Sequence, residues 1–357
     1  MTILIYTGVA LVVCLVQVLL TAWYTRQLRC TRELSCSTAF AGESGEMIET
    51  VGNYSPFLIP WLRLESHISS NLQLGRQDSL QSLHASYYVS LFTLMPYQQI
   101  RRVHQIHFLR RGEYTLGGAA LTCGDLMGVT RFGFTLEESP SVLVYPALLD
   151  DEHMPALLSQ QLGDISRRRQ LMEDPFLVRG LRAYQPGDPV RDIHWPATAR
   201  TGQVQVRLHE YSARSKLLVI LNVQGEDMQW QGRLPEKLIP RMEHAISLTA
   251  TACVRALEAG MSVGFTANAS VSESKDCLML PPAEGAAAGE ILLSNLARLR
   301  TTRNVPFSIY LKELSVQSDL DILILSCYDN EEIRQARQAL ESQGCQVTFY
   351  QIEGGAV

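Results

Sequence analysis

The sequence predicts a multidomain α+β chain: an N-terminal transmembrane helix, a β-sandwich-like domain, then a doubly wound α/β domain. Three observations carry this. Ile3 to Tyr24 holds no charged residue. Short strand-like runs separated by turn residues fill Glu33 to Pro146. From Lys216 onward, apolar runs alternate with amphipathic stretches. The expected boundaries are 1–25 for the anchor, 26–150 for the β domain, 151–212 for a helical linker with an arginine-rich signature, and 213–357 for the α/β domain.

The apolar run ILIYTGVALVVCLVQVLLTAWY is long enough, at about 1.5 Å per residue, to cross a hydrocarbon core of roughly 30 Å. Tyr6, Trp23 and Tyr24 lie near its ends, where interfacial aromatics belong. A cleaved signal peptide is the rival. No Lys or Arg precedes the run and no small-x-small site follows it, which favours an uncleaved anchor. Arg26, Arg29 and Arg32 follow the run. The positive-inside rule then predicts a single-pass protein at the cell membrane, contacting lipid through this helix, with its C-terminal bulk in the cytoplasm.

In the next segment, Gly42 to Gly45 leads into the alternating run Met47–Val51. Asn53 to Pro56 reads as a turn before Phe57–Leu64. Further strands are expected at Tyr87–Leu94, His104–Leu109, Gly112–Leu116, Ala119–Cys123 and Ser141–Tyr145. Ser86–Tyr97 is too short to span a membrane and reads as a buried strand. A strand running into a glycine turn is expected over Leu121–Thr130. Nothing here has catalytic spacing.

Lys216–Asn222 is a continuous apolar run, as in a central parallel strand. Glu236–Ala259 carries apolar residues at helical steps, and Gly260 stands where a helix C-terminal glycine belongs. Strands at Met261–Ala267, Asp321–Cys327 and Cys345–Ile352 alternate with helices at Ala286–Arg300 and after Asn330, an N-cap residue. Ligands of such sheets bind beyond the carboxyl ends of the strands. Here that means Asn222–Asp227 and Ser326–Asn330, neither with a nucleotide-binding glycine pattern. Glu226, Asp227 and Asp329 are candidates for a hard cation, against turn and helix-cap chemistry as the simpler reading.

Composition narrows the function classes. Of 357 residues 46% are apolar, and the net charge is −5. No basic stripe with interleaved aromatics is present, which argues against nucleic acid as a partner. The Arg167–Arg169 run reads as a solvated helix face. The eight cysteines lack Cys-x-x-Cys spacing and several sit in apolar runs, so they read as small hydrophobes rather than zinc ligands.

The densest set of directional side chains lies in Arg179–Arg200: four arginines, Asp188, Asp192, Tyr184, His194 and Trp195 around Pro186-Gly187. The aspartates are expected partners for Arg182, Arg191 and Arg200. Trp195 is expected to plug a core or a domain seam. His194 near Asp188 and Asp192 invites an acid–base reading, but no nucleophile motif accompanies it. A self-paired clamp joining the two domains is the preferred role.

These residues resemble a known family, the domain of unknown function 58, through Arg182, Tyr184, Pro186, Gly187, Asp188, Arg191, Ile193, Trp195, Ala199 and Arg200. Gly112–Gly117 and Gly124–Gly128 also look like this family's β domain. The resemblance implies a von Willebrand A-like C-terminal domain and a MoxR-type AAA+ ATPase as partner. Such domains often hold a divalent metal through Asp-x-Ser-x-Ser. The corresponding positions here are Asn222, Gln224 and Glu226, so the site is degenerate and no metal or other cofactor is expected. The resulting expectation is a membrane-anchored, non-enzymatic interaction or adaptor protein serving assembly or maturation of a protein complex. Two alternatives stay open: a hydrolase with His194 and Asp188 at the domain seam, and an extracytoplasmic ligand-binding protein of opposite topology.

Overall fold

The computed structural model describes residues 2–69, 71–75, 79–82, 85–124, 131–136, 140–170, 174–210, 216–227, 229, 232–271, 276–316 and 320–352. They form a mixed α/β protein with several sheets, divided into two compact units, Met1–Ala147 and Leu148–Val357.

The first unit opens with helix α1 (Thr2–Thr25). Its strands are β1 (Leu28–Leu34), β2 (Thr38–Phe40), β3 (Ser44–Asn53), β4 (Ile59–Ile68), β5 (Leu72–Leu74) and β6 (Ser79–Ser82). Then come β7 (Ala85–Leu94), β8 (Gln99–Phe108), β9 (Gly112–Thr115), β10 (Ala119–Gly124), β11 (Arg131–Leu136) and β12 (Ser141–Tyr145). They pair in three sheets, ordered β1-β3-β8-β5, β11-β10-β4-β7-β6 and β2-β12-β9. Alternating side chains of the first two sheets meet in one cluster: Leu28 and Val51 from one, Ile59, Leu62, Phe92 and Leu121 from the other. The first and third sheets share another, with Met47, Ile106, Phe108, Val142 and Val144.

One buried ion pair links two sheets. Arg32 lies opposite Glu49 in the β1–β3 register. Its guanidinium donates to Glu49 Oε1 at 3.0 and 2.9 Å and also to Ser66 Oγ on β4. Both side chains are almost fully buried. Removing one partner from such a pair costs about 3–5 kcal/mol, because the remaining charge is left without compensation.

Two expectations for this unit change. β7 is not buried on both faces: Ser90, Phe92 and Leu94 point inward while Leu91 and Thr93 are exposed. An antiparallel strand with one wet face alternates in this way. Among the described residues, no helix is long and apolar enough to cross a membrane. The expected span at Ile3–Tyr24 does fold as the uncharged helix α1, whose Trp23 ring meets Phe57 edge-on at 5.9 Å. The turn expected after Cys123, with the Gly124–Gly128 likeness, runs into residues 125–130, and these lie outside the described residues; so do the side chains of Arg167–Arg169.

The second unit contains α2 (Ala156–Gln170), β13 (Asp174–Ala183), α3 (Trp195–Thr201), β14 (Gln205–Glu210), β15 (Lys216–Leu221), α4 (Ile239–Glu258) and β16 (Ser262–Ala267). Next are β17 (Met279–Ala283), α5 (Ala286–Arg298), α6 (Phe307–Glu313), β18 (Asp321–Ser326), α7 (Glu331–Ser342) and β19 (Gln346–Gln351). The main sheet has the order β17-β16-β15-β18-β19, with the last four strands parallel and β17 antiparallel at the edge. Its central strands are continuous apolar runs because helices cover both faces. Leu218, Ile220, Ile322 and Ile324 pack with Phe307 and Leu311 of α6 and with Ile333 and Leu340 of α7. Leu217, Val219 and Leu221 point to the opposite face and are fully buried there.

Chain order runs from β15 outward to β16, then returns past β15 to β18 and β19. The winding therefore reverses between β15 and β18. Their carboxyl ends form the crevice where an open α/β sheet places its ligand site. The hairpin β13–β14, the edge strand β17 and helix α6 have no counterpart in the sequence reading. The helix expected at Ala286–Arg300 stops at Arg298.

Candidate functional site

Two places in the second unit gather the residues singled out from the sequence. The first is the arginine-rich signature. It is not a loop: it is the end of β13, a tight turn, a single 3-10 turn at Val190–Asp192, helix α3 and the start of β14. Each step has a local cause. Pro186 and Gly187 are the central residues of a turn closed by Asp188 N–H donating to Gln185 O at 3.1 Å, and Gly187 supplies the positive φ of 111°. His194 caps α3, its Nδ1 accepting from Ala197 N–H at 3.1 Å. Pro196 stands in the first turn of α3, and Gly202 ends that helix in the left-handed region with φ 70°.

The pairing is narrower than a full clamp. Arg182 and Asp188 form a bidentate pair, with N···O distances of 2.7 and 2.6 Å. Asp188 also accepts from Gln185 N–H at 2.8 Å. The Arg182 guanidinium and the Gln185 amide beside it hold the Asp188 carboxyl below the usual carboxylate range. Arg191 reaches Asp192 only at 3.8 Å and is otherwise exposed, and Arg200 is exposed in the last turn of α3. Trp195 plugs no core: it is 64% exposed. The fold uses its backbone as the first residue of α3 and Ile193, not Trp195, bridges to Val206 on β14. Tyr184 is exposed as well. His194 and Asp188 are each committed to local backbone and side-chain partners; the Thr198 hydroxyl donates to the His194 backbone oxygen at 3.1 Å, not to its imidazole.

The second place is the crevice beyond β15 and β18. The buried side chains at the strand ends there are amides, Asn222, Gln224 and Asn268, while Asp227, Glu331 and Glu332 line the open part. Asn222 is fully buried; its Nδ2 donates to Ser326 Oγ at 2.9 Å and its Oδ1 accepts from Gln224 N–H at 2.9 Å. Gln224 Nε2 donates to Glu226 O and Asp227 O at 3.0 and 3.1 Å. Gln224 Oε1 accepts from Arg303 at 3.3 Å, and the same guanidinium donates to Gln229 O. A cationic side chain and amide donors thus hold together the loops at the strand ends. The candidate carboxylates separate. Glu226 faces Lys237 at 3.8 Å, Asp227 accepts from Asn330 Nδ2, and Asp329 pairs with Arg334 at 3.0 Å and Arg337 at 3.7 Å. Among the described residues no group of three His, Cys, Asp or Glu side chains is placed to hold a metal ion.

A cleft of about 360 Å³ opens here, lined among others by Gln224, Asp227, Arg303, Tyr328 and Asn330. Burial pushes the Tyr328 phenol up to about 12, so it stays protonated and can donate. Sequence reasoning placed Asn222, Gln224 and Asn330 at this end of the sheet but missed Asn268 and Arg303. Asn268 follows β16 and obeys the same strand-end rule; its Oδ1 accepts from Val223 N–H at 2.8 Å. Arg303 carries no local signal. It arrives because its backbone N–H donates to Gly232 O at 2.9 Å and it bridges to Ala269.

Residues 180–324 match the family described as protein of unknown function DUF58. A curated relative, "Uncharacterized protein YeaD" of Bacillus subtilis strain 168, is 20% identical over 296 residues, covering 83% of this chain and 68% of its own length. Among solved structures, the CARDB domain of the PF1109 protein from Pyrococcus furiosus is 13% identical, covering 33% of this chain and 91% of that one, with a TM-score of 0.23. A cohesin module from a Clostridium perfringens family 33 glycoside hydrolase is 12% identical, covering 33% and 96%, with a TM-score of 0.23. At such TM-scores neither likeness carries an argument. The matched segment begins at the hairpin of the signature and runs through the central strands, and over it the chain is similar to the DUF58 family.

Proposed function

We propose that this chain is a membrane-anchored adaptor whose signature hairpin docks a protein partner, a MoxR-type AAA+ ATPase, to assemble or mature another complex. One observation carries the docking role: Trp195 stands 64% exposed on a short helix whose two ends are both capped. Large exposed aromatics on a rigid support mark interaction sites, and tryptophan, tyrosine and arginine dominate binding hot spots. The two residues that an enzyme at this place would use are committed elsewhere, Asp188 to Arg182 and His194 to the first turn of α3.

The anchor rests on α1. Its 24 residues hold no acidic or basic side chain. Exposed aliphatic side chains such as Leu11, Leu15 and Leu19 lie along it. Arg26 and Arg29 after it favour a cytoplasmic bulk and contact with lipid only through α1. The polar crevice in the second unit fits a von Willebrand A-like domain whose metal position has been taken over by amides and Arg303.

Affinity-tagged protein purified from native membranes tests the reading. Co-purification of the ATPase, lost in Trp195→Ala without a change in melting, is the expected result. An ATPase retained equally by Trp195→Ala overturns the docking role. A reporter fused after Val357 that is active only outside the cytoplasm overturns the topology.

A further inference from the structure

The exposed apolar side chains of the second unit are not spread evenly. Six of the eleven large ones described, Leu181, Tyr184, Val190, Trp195, Val204 and Leu208, fall within residues 181–208. Val190 and Trp195 are the most exposed of them, at 70% and 64%. The same stretch carries four arginines, Arg182, Arg191, Arg200 and Arg207, against Asp188 and Asp192, whereas the whole chain has a net charge of −5. Asp188 is taken up by Arg182. The register of the hairpin puts Arg207 with Leu181 on one face and Leu208 with Arg182 on the other, so the exposed charge on the segment of Val190 and Trp195 is that of Arg191 and Arg200.

We infer that this surface takes an acidic protein segment with apolar anchors: side chains of Glu or Asp meeting the exposed arginines, and Leu or Phe meeting Trp195 and Val190. The inference rests on the docking role proposed above and adds the chemistry of the partner. Charge complementarity selects the occupant: a basic patch on an acidic protein steers and registers a negatively charged surface. Arginine matches carboxylates in a planar, two-bonded geometry that lysine lacks. An anionic lipid surface fits less well, since the two aspartates lie among the arginines and no lysine is present in the stretch.

The test uses the full chain in phosphatidylcholine nanodiscs, with empty nanodiscs as the blank. The probes are a labelled short peptide of alternating Glu with Phe and Leu, and a twin with Lys in place of Glu. The acidic peptide is expected to bind and the basic twin not, with affinity falling as salt rises. Trp195→Ala and the double change Arg191→Ala with Arg200→Ala should each weaken binding by roughly tenfold, as central aromatic and arginine contacts do. Trp195→Gln and a melting curve guard against misfolding. Equal binding of the two peptides, or no effect of the arginine changes, overturns the inference. So does binding confined to phosphatidylglycerol vesicles, or Trp195-dependent self-association in sedimentation. If the ATPase is retained through Trp195 while the acidic peptide is ignored, the partner chemistry fails and the adaptor role stands. The reverse result removes the ATPase and keeps the acidic partner.

Discussion

Changing Asn222 to Asp tests whether the crevice is held by amides in their own right. The side chain is fully buried and donates to Ser326 Oγ at 2.9 Å. Asn222→Asp keeps the oxygen that accepts from Gln224 N–H, and its protonated form has an O–H in place of the amide donor; ionisation removes that donor, a bond worth about 1 kcal/mol net. An ionised carboxylate at this depth loses its hydration, so the group stays protonated and its folded pKa lies above the unfolded value of about 3.9. A raised acid pKa lowers stability as pH climbs past the unfolded value. The ceiling at pH 7 is the cost of protonating the carboxyl, about 4 kcal/mol. We expect the variant to lose about 2–4 kcal/mol at pH 7 and about 1 kcal/mol or less at pH 4. Urea unfolding of wild type and variant at both pH values measures this. A loss that does not change with pH refutes the reasoning. So does full recovery in millimolar Mg²⁺, which would mean that one carboxylate completes a cation site.

Other outcomes follow from single contacts. Asp188→Ala should open the turn at Gln185–Asp188, seen as faster amide exchange there. Because Arg182 holds the Asp188 carboxyl below its ordinary range, the wild-type turn should be protected above the unfolded carboxylate pKa and lose protection as pH falls through the folded one. His194→Ala should cost α3 about 1 kcal/mol of capping, and His194→Asn should restore it in the same exchange measurement. Arg32→Ala should lower stability by about 3–5 kcal/mol in urea unfolding, by leaving Glu49 buried without its hydrogen-bonded partner and with His104 Nε2 3.8 Å away. Burial pushes the Cys30 thiol up to about 12 and that of Cys123 up to about 11, so a thiol reagent at pH 8 should label neither until urea is added.

Much of the sheet architecture was legible because it depends on short-range pattern. Leu217 to Leu221 and Ile322 to Leu325 are apolar without interruption, and only strands covered on both faces read that way. Asn330 as a cap with Glu331 and Glu332 behind it fixes the start of α7. The signature was harder to read. Its residue types fit a loop of paired charges, but the three cap and turn residues His194, Pro196 and Gly202 outweigh them locally and make a helix. Trp195 was misplaced for the same reason: hydrophobicity argues for burial, while its position at the first turn of a short surface helix sets its exposure. Arg303 was illegible, since a single arginine in a loop says nothing of the distant backbone groups, Gly232 O and Gln229 O, that draw it in.

The edge strand β17 carries Pro281 and Pro282. The register with β16 slips between Val263 and Phe265, opposite those prolines. A proline offers no N–H, so that border of the sheet presents a gapped row of donors to any strand arriving from outside. Capture of another chain is thereby hindered on the β17 side, while among the described residues β19 forms the other border as a regular strand. Replacing both prolines would restore the missing N–H groups and make that border a better template for an incoming strand.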